Sequence, residues 1–391
     1  MGNITFGDES HRVARDSVQQ SWKRLYSPGR HFDPVLVLAA LGLTAFGLVM
    51  IYSSTFHGLE ARGVDPLHFV NRQAISLGIG LVAMVAIGIF DYRLYRAWAP
   101  VVYAGAIVML VVTAATGQTV NASRAWIVLG GFQFQPAEIA KPALILVLAA
   151  LFHERRESAL GLRALLEAVG LAAVPMLLIL AQPDLGTAIV FVAITFGVLL
   201  LARVRIRYMA ALALIGVLSI VGALQMEVME DYQVARLTSF LDPSSDPQGA
   251  GWNVEQAQIA IGSGQITGQG LFQGSQTALA YVPENHTDFI FTVVGEELGF
   301  FGATLLLAIY AVLLWRALRI TALSRDTFGT LIGAGVVAVF AFQLFINVGM
   351  SVGVMPVTGL PLPFVSYGGT SLIGAFLMIG LLQNVHMRRF Q

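Results

Sequence analysis

Ten stretches of apolar residues, each long enough to cross a bilayer as a helix, constrain this chain more than any other feature. They fall at 34–55, 69–90, 97–116, 136–153, 163–181, 184–203, 206–225, 288–316, 328–351 and 364–386. A helix needs about 17–25 such residues to span roughly 30 Å of hydrocarbon, so the pattern predicts an all-α integral membrane protein with ten transmembrane helices. Only Gln182 and Pro183 separate the fifth stretch from the sixth, and the proline favours a tight turn there. Composition agrees: 56% of the 391 residues are hydrophobic and 12% are charged, against about 25% charged in an average soluble chain. Lys and Arg balance Asp and Glu at 23 each, which excludes a basic nucleic-acid-binding surface as the organising feature, and no nucleic acid partner is expected. Without cysteine there is no disulfide framework, zinc-thiolate site or thiol nucleophile. Any reactive group is an acid, a histidine or a hydroxyl.

Cytoplasmic loops retain Lys and Arg, and here 18 of the 23 fall on one set of alternating segments while Arg62, Arg124 and Arg236 fall on the other. Arg72 and Lys141 lie inside predicted spans. This bias predicts that both termini are cytoplasmic. Residues 1–32 read as a polar cytoplasmic segment without the apolar core of a signal peptide, and 33–391 as one ten-helix membrane domain. The segment 226–287 is a large outer loop between helices 7 and 8, far longer than the usual connection of about 4–6 residues. It is acidic, with Glu227, Glu230, Asp231, Asp242, Asp246, Glu255 and Glu284. Turns are expected at Asp242–Pro247, and a short interfacial helix at 251–261 with Trp252 as its anchor.

Ionisable groups in or beside spans are costly, about 2.5–3.5 kcal/mol each at the bilayer centre, and so mark candidate sites. Glu138 and Lys141 stand three residues apart on one helical face and can pair, with Pro142 predicting a kink beside them. Thr287 or Asp288, in the run Pro283-Glu284-Asn285-His286-Thr287-Asp288, can cap the eighth helix. Glu296 and Glu297 follow within that helix, and Asp184 can cap the sixth. Three prolines and the glycines between Met355 and Ser371 prevent regular helix, so this backbone must be buried in protein or line a wet cavity. There Ser366 and Tyr367 offer hydroxyls.

The stretches NASRAWIVLGGFQFQPAEIAK (121–141), QPDLGT (182–187), GWNVEQAQIAIGSG (251–264), PENHTDFIFTVVGEELG (283–299) and PVTGLPLPFVSYGGTSL (356–372) resemble the SEDS family of bacterial cell-shape, division and sporulation proteins. PVTGLPLP and QPDLGT are more similar to the RodA-like elongation branch than to the FtsW-like division branch. The resemblance implies a peptidoglycan glycosyltransferase that joins lipid II units into glycan strands during cell elongation, at the outer face of the cytoplasmic membrane. It implies Asp288 as general base toward the acceptor hydroxyl, with Arg124, Trp126, Glu138, Lys141, Asp184, His286, Thr287, Ser366 and Tyr367 as substrate-binding residues. Glu296 and Glu297 would be supporting intramembrane acids. A divalent cation, Mg or Mn, could share charge neutralisation at the leaving pyrophosphate. Implied partners are a class B penicillin-binding protein with transpeptidase activity, lipid II, undecaprenyl-linked glycan and other membrane proteins of the elongation complex. Pro142 and the charged N-terminal segment depart from the family pattern. A lipid II flippase would instead use Glu138, Lys141, Glu296 and Glu297 as a proton relay, with 356–371 as a gate. A division-type paralogue and a non-enzymatic scaffold are the other readings.

Overall fold

The computed structural model describes residues 31–120, 123–129, 132–155, 161–226, 249–279 and 281–390, together with Val234 and Phe240. Most of residues 1–32, the acids Glu227, Glu230, Asp231, Asp242 and Asp246, and the Asp242–Pro247 turns lie outside them.

The chain is helical: α1 (Pro34–Ala61), α2 (His68–Ile89), α3 (Tyr92–Thr116), α4 (Pro136–His153), α5 (Leu162–Leu180), α6 (Leu185–Leu201), α7 (Ile206–Gln225), α8 (Ala250–Gly264), α9 (Ser275–Ala278), α10 (Ile290–Ala322), α11 (Thr327–Ser351) and α12 (Gly369–Met387). Among the described residues, eight helices are long and apolar enough to cross a membrane, while α6 and α7 supply shorter apolar stretches. Short polar residues set the helix starts. Asp33, Asp91, Asp184 and Asp326 each accept a backbone N–H as N-caps of α1, α3, α6 and α11. Pro34 and Pro136 occupy first-turn positions, where no N–H is needed. α4 continues through Pro142. The expected interfacial segment is helical as α8, with Trp252 39% exposed.

One element is an addition to the helical expectation. Between α3 and α4 lies a three-stranded antiparallel sheet, β1 (Gln118–Val120), β2 (Ser123–Leu129) and β3 (Phe132–Phe134), with Gln118 opposite Trp126 and Val128 opposite Gln133. Its signal is a Gly130-Gly131 hairpin pair after the β-branched Ile127 and Val128.

α4 and α12 form the centre: 78% of the apolar window of each is buried, against 17% in α2. α2 packs on α12, α3 on α4, α6 on α11, and α1 and α8 on α10. The start of α1 and the end of α12 sit side by side, with Asp33 N–H donating to Gln383 Oε1 at 3.0 Å and Gln383 Nε2 donating to the Asp33 carbonyl at 2.6 Å. Arg316, near the end of α10, pairs with Asp33, and Tyr92 donates to Asp326 at 2.9 Å, so these helix ends share one side of the bundle.

α10 is broken at Gly299, where φ is +61°. The residues after α8 repair the break. Gln269 N–H and Gly270 N–H donate to the carbonyls of Glu296 and Glu297 at 3.0 Å each, and Phe300 N–H and Phe301 N–H donate to Gln265 and Ile266 at 3.0 and 3.2 Å. Gly299 packs against the backbone of Ile266 and Gly268, leaving no room for a Cβ.

Candidate active site

At the opposite end of the bundle the first turns of five helices converge on one cavity of about 580 Å3. Its lining takes Phe69 and Arg72 from α2, the N-cap Gln135 and Glu138 at the start of α4, the N-cap Asp184 and Thr187 at the start of α6, Asp288 just before α10, and Gly369 and Ser371 from α12. Each helix N-terminus carries about half a positive charge, so the arrangement favours an anion. Trp126 of β2, His286, Thr287 and Tyr367 complete the wall.

Four acids line the cavity: Glu138, Asp184, Glu284 and Asp288. Glu138 accepts from Lys141 Nζ at 2.7 Å, both being buried. Asp184 caps α6 through Thr187 N–H at 3.0 Å and accepts from Gln135 Nε2 at 3.0 Å. Glu284 accepts from the Thr287 hydroxyl at 3.0 Å.

Asp288 sits differently from the capping role expected for it or for Thr287. Phe289 is the N-cap of α10 and makes no side-chain cap bond. The Glu284 carbonyl gathers the N–H groups of Thr287, Asp288 and Phe289 at 3.2, 3.0 and 3.2 Å, a tight turn that leaves the half-buried Asp288 side chain on the cavity wall. Gly359, at φ +72°, faces it closely: a Cβ there would lie 3.4 Å from Asp288 Oδ2.

His286 forms a three-ring cluster with Phe69 and Tyr367, tilted against them at ring centroids 4.8 and 5.7 Å away, while Phe69 and Tyr367 meet edge to face at 4.9 Å; the His286 carbonyl accepts from Tyr367 N–H at 2.9 Å. Burial pushes the His286 imidazole below its ordinary value, against an opposing pull from Glu284.

The segment before α12 is irregular and buried, as its prolines require; Leu360, Leu362, Phe364 and Val365 are at most 2% exposed. α12 starts at Gly369, five residues later than the predicted span, because Phe364–Gly368 are folded back in turns. Gln73 of α2 holds this segment, donating to the Ser366 carbonyl and accepting from Gly368 N–H at 3.1 Å each.

A family model described as a cell cycle protein, covering FtsW, RodA and SpoVE, matches residues 34–391. The chain belongs to this family. Within this SEDS family it is 38% identical over 356 residues to stage V sporulation protein E of Bacillus subtilis, covering 90% of this chain and 96% of that protein. It is also 38% identical over 359 residues to the peptidoglycan glycosyltransferase MrdB of Escherichia coli K12, covering 92% and 94%. A structure solved for the coordination of polymerization and crosslinking by a peptidoglycan synthase complex superposes with a TM-score of 0.76 at 31% identity, covering 92% of this chain and 99% of that one. The sporulation and MrdB relatives are equally identical, so identity assigns no branch within the family.

Against the SEDS motifs, the structure brings Trp126, Glu138, Asp184, His286, Thr287, Asp288 and Tyr367 together. Lys141 lies directly behind Glu138. Four residues stand elsewhere. Arg124 is exposed on β2, outside the cavity lining. Ser366 is buried, its hydroxyl accepting from Leu362 N–H at 2.9 Å, so the expected ligand contact is replaced by a turn bond. Glu296 accepts from Gln276 N–H, Thr277 N–H and the Thr277 hydroxyl at 2.6, 3.0 and 2.6 Å, and Glu297 from the Ser53 hydroxyl at 2.6 Å. These two acids anchor α9 to α10 and α10 to α1. Conversely, Arg72 lines the cavity, although in the sequence it is only a charge within a span. Among the described residues no group of three or more His, Asp or Glu is arranged to hold a metal ion, and no step below uses one.

Proposed function

We propose that this SEDS protein is a peptidoglycan glycosyltransferase of the bacterial cytoplasmic membrane that polymerises lipid II on its outer face, with Asp288 as general base. The observation that carries the reading is the Asp288 carboxylate on the wall of a cavity ringed by five helix N-terminal turns and Arg72. The donor, a growing glycan on undecaprenyl pyrophosphate, places its doubly charged leaving group against those turns and the Arg72 guanidinium. Asp288 takes the proton from the 4-hydroxyl of the incoming GlcNAc as that oxygen bonds to the anomeric carbon of the donor MurNAc. The bond from that carbon to the pyrophosphate breaks, and undecaprenyl pyrophosphate leaves with the electron pair. Direct displacement inverts the α-linked donor to a β-linked product and needs one base only.

Apolar wall residues support a lipid-borne substrate. Ile75 lines the cavity and is 60% exposed on α2, the least buried of the eight candidate spans. Trp126 and Tyr367 offer faces for sugar rings. A flippase relay through Glu138, Lys141, Glu296 and Glu297 has less support, since the first two pair with each other and the last two tie α9 and α1 to α10. The motifs PVTGLPLP and QPDLGT favour an elongation role. The synthase complex among the structural neighbours supports a class B penicillin-binding protein as partner, alongside other elongation-complex membrane proteins.

The test is lipid II polymerisation by the purified protein with a partner whose transpeptidase is blocked, comparing wild type with Asp288→Asn. Product from the wild type and none from a folded, partner-bound variant is expected. Equal rates would remove Asp288 from the chemistry.

A further inference from the structure

Asn347 of α11 is fully buried, and its side-chain Nδ2 donates two hydrogen bonds, to the Asp288 carbonyl at 2.7 Å and to the Leu360 carbonyl at 2.8 Å. A primary amide has two N–H groups in one plane, and here each goes to a different outer segment. One segment carries Asp288; the other carries Gly359, where a Cβ would lie 3.4 Å from Asp288 Oδ2. The Asp288 carbonyl is open to capture because the N–H of Thr292, four residues on, bonds the Phe289 carbonyl at 2.9 Å instead. The Asn347 side chain reaches only backbone behind the wall and is not part of the cavity lining.

We infer that Asn347 is a positioning residue: a single amide that ties the Asp288 turn to the Gly359–Leu360 turn and so fixes where the carboxylate stands in the cavity. This deepens the glycosyltransferase reading and rests on it for its catalytic consequence. A group that aims a base without touching substrate affects turnover more than binding, because substrate contacts elsewhere survive while the reacting geometry loosens. No other side chain bonds both carbonyls among the described residues.

The experiment compares wild type, Asn347→Leu and Asn347→Gln as full-length proteins with the blocked partner. Leucine keeps the volume and removes both donors; glutamine keeps the amide on a longer stem. The expected result for Asn347→Leu is a fall of at least 10-fold in kcat with KM within about twofold, partly restored in Asn347→Gln. Hydrogen exchange supplies a readout independent of activity: segments 284–289 and 357–362 should both exchange faster in Asn347→Leu while the ends of α1 and α12 do not change. Unchanged exchange at both segments overturns the inference even if activity falls. Coupled exchange with KM rising as much as kcat falls overturns the positioning role. Coupled exchange in a protein whose wild type makes no glycan leaves the tie standing and overturns the glycosyltransferase reading instead.

Discussion

Lys141 Nζ lies 2.7 Å from Glu138 Oε1, one turn back along α4, with 1% and 4% of the two side chains exposed. Two charges this deep coexist because each satisfies the other, and removing one leaves the other stranded, typically at about 3–5 kcal/mol. Lys141→Met is therefore expected to lower thermal stability in detergent by that order. Pairing it with Glu138→Gln should recover most of the loss, a double-mutant cycle that purely additive costs would refute.

Arg72 presents the opposite case. Its side chain is exposed at the cavity and forms no hydrogen bond or salt bridge among the described residues. Arg72→Ala should leave the melting temperature nearly unchanged and lower kcat/KM by about 100-fold, on the order of one lost charge contact in the transition state. A large shift in melting temperature with activity retained would show a structural role instead.

Gln73, the next residue, holds Ser366 and Gly368 through both ends of its amide. Gln73→Leu leaves a buried carbonyl and N–H unpaired, at about 1–3 kcal/mol each. Unfolding in detergent should register that loss, and Tyr367 should become more accessible to aqueous quenchers than in wild type.

The His286 imidazole titrates below its ordinary value because burial disfavours its charged form. A folded pKa below the unfolded value, about 6.5, means the unfolded chain binds the proton more readily. Stability from this group is thus complete above about pH 6.5 and declines as pH falls toward the folded value. Equilibrium unfolding between pH 7.5 and 5 should show that decline, and His286→Gln should flatten it. An unaltered slope in the variant would assign the acid sensitivity to another group.

The membrane-spanning skeleton was legible because apolar runs of sufficient length have few alternatives, and every one of them contains a helix. The cavity was partly legible. Asp288 and His286 stand in the polar run where the long loop re-enters the membrane and Tyr367 in the proline-broken segment before the last span, while Arg72 reads only as a charge inside a span. The helix begins one residue later than spacing suggests, with Phe289 as N-cap, because the Glu284 carbonyl draws the N–H groups of Thr287, Asp288 and Phe289 into a turn that spacing does not show. The sheet escaped notice because β1 and β3 are three residues each, too short for an alternating pattern. Glu296 and Glu297 are visible as costly acids within a span, but their partners, Thr277 and Ser53, come from other elements that only the fold brings near.

The break at Gly299 bears on how the protein is made. Its open backbone groups are satisfied by residues 265–270, a stretch translated just before α10 and unable to find those partners until α10 exists. Exposed amides are poorly tolerated in hydrocarbon, so insertion of α10 and docking of that stretch should occur as one concerted step of biogenesis. Natural variation in length would then be confined to parts of the outer segment that lie away from this seam.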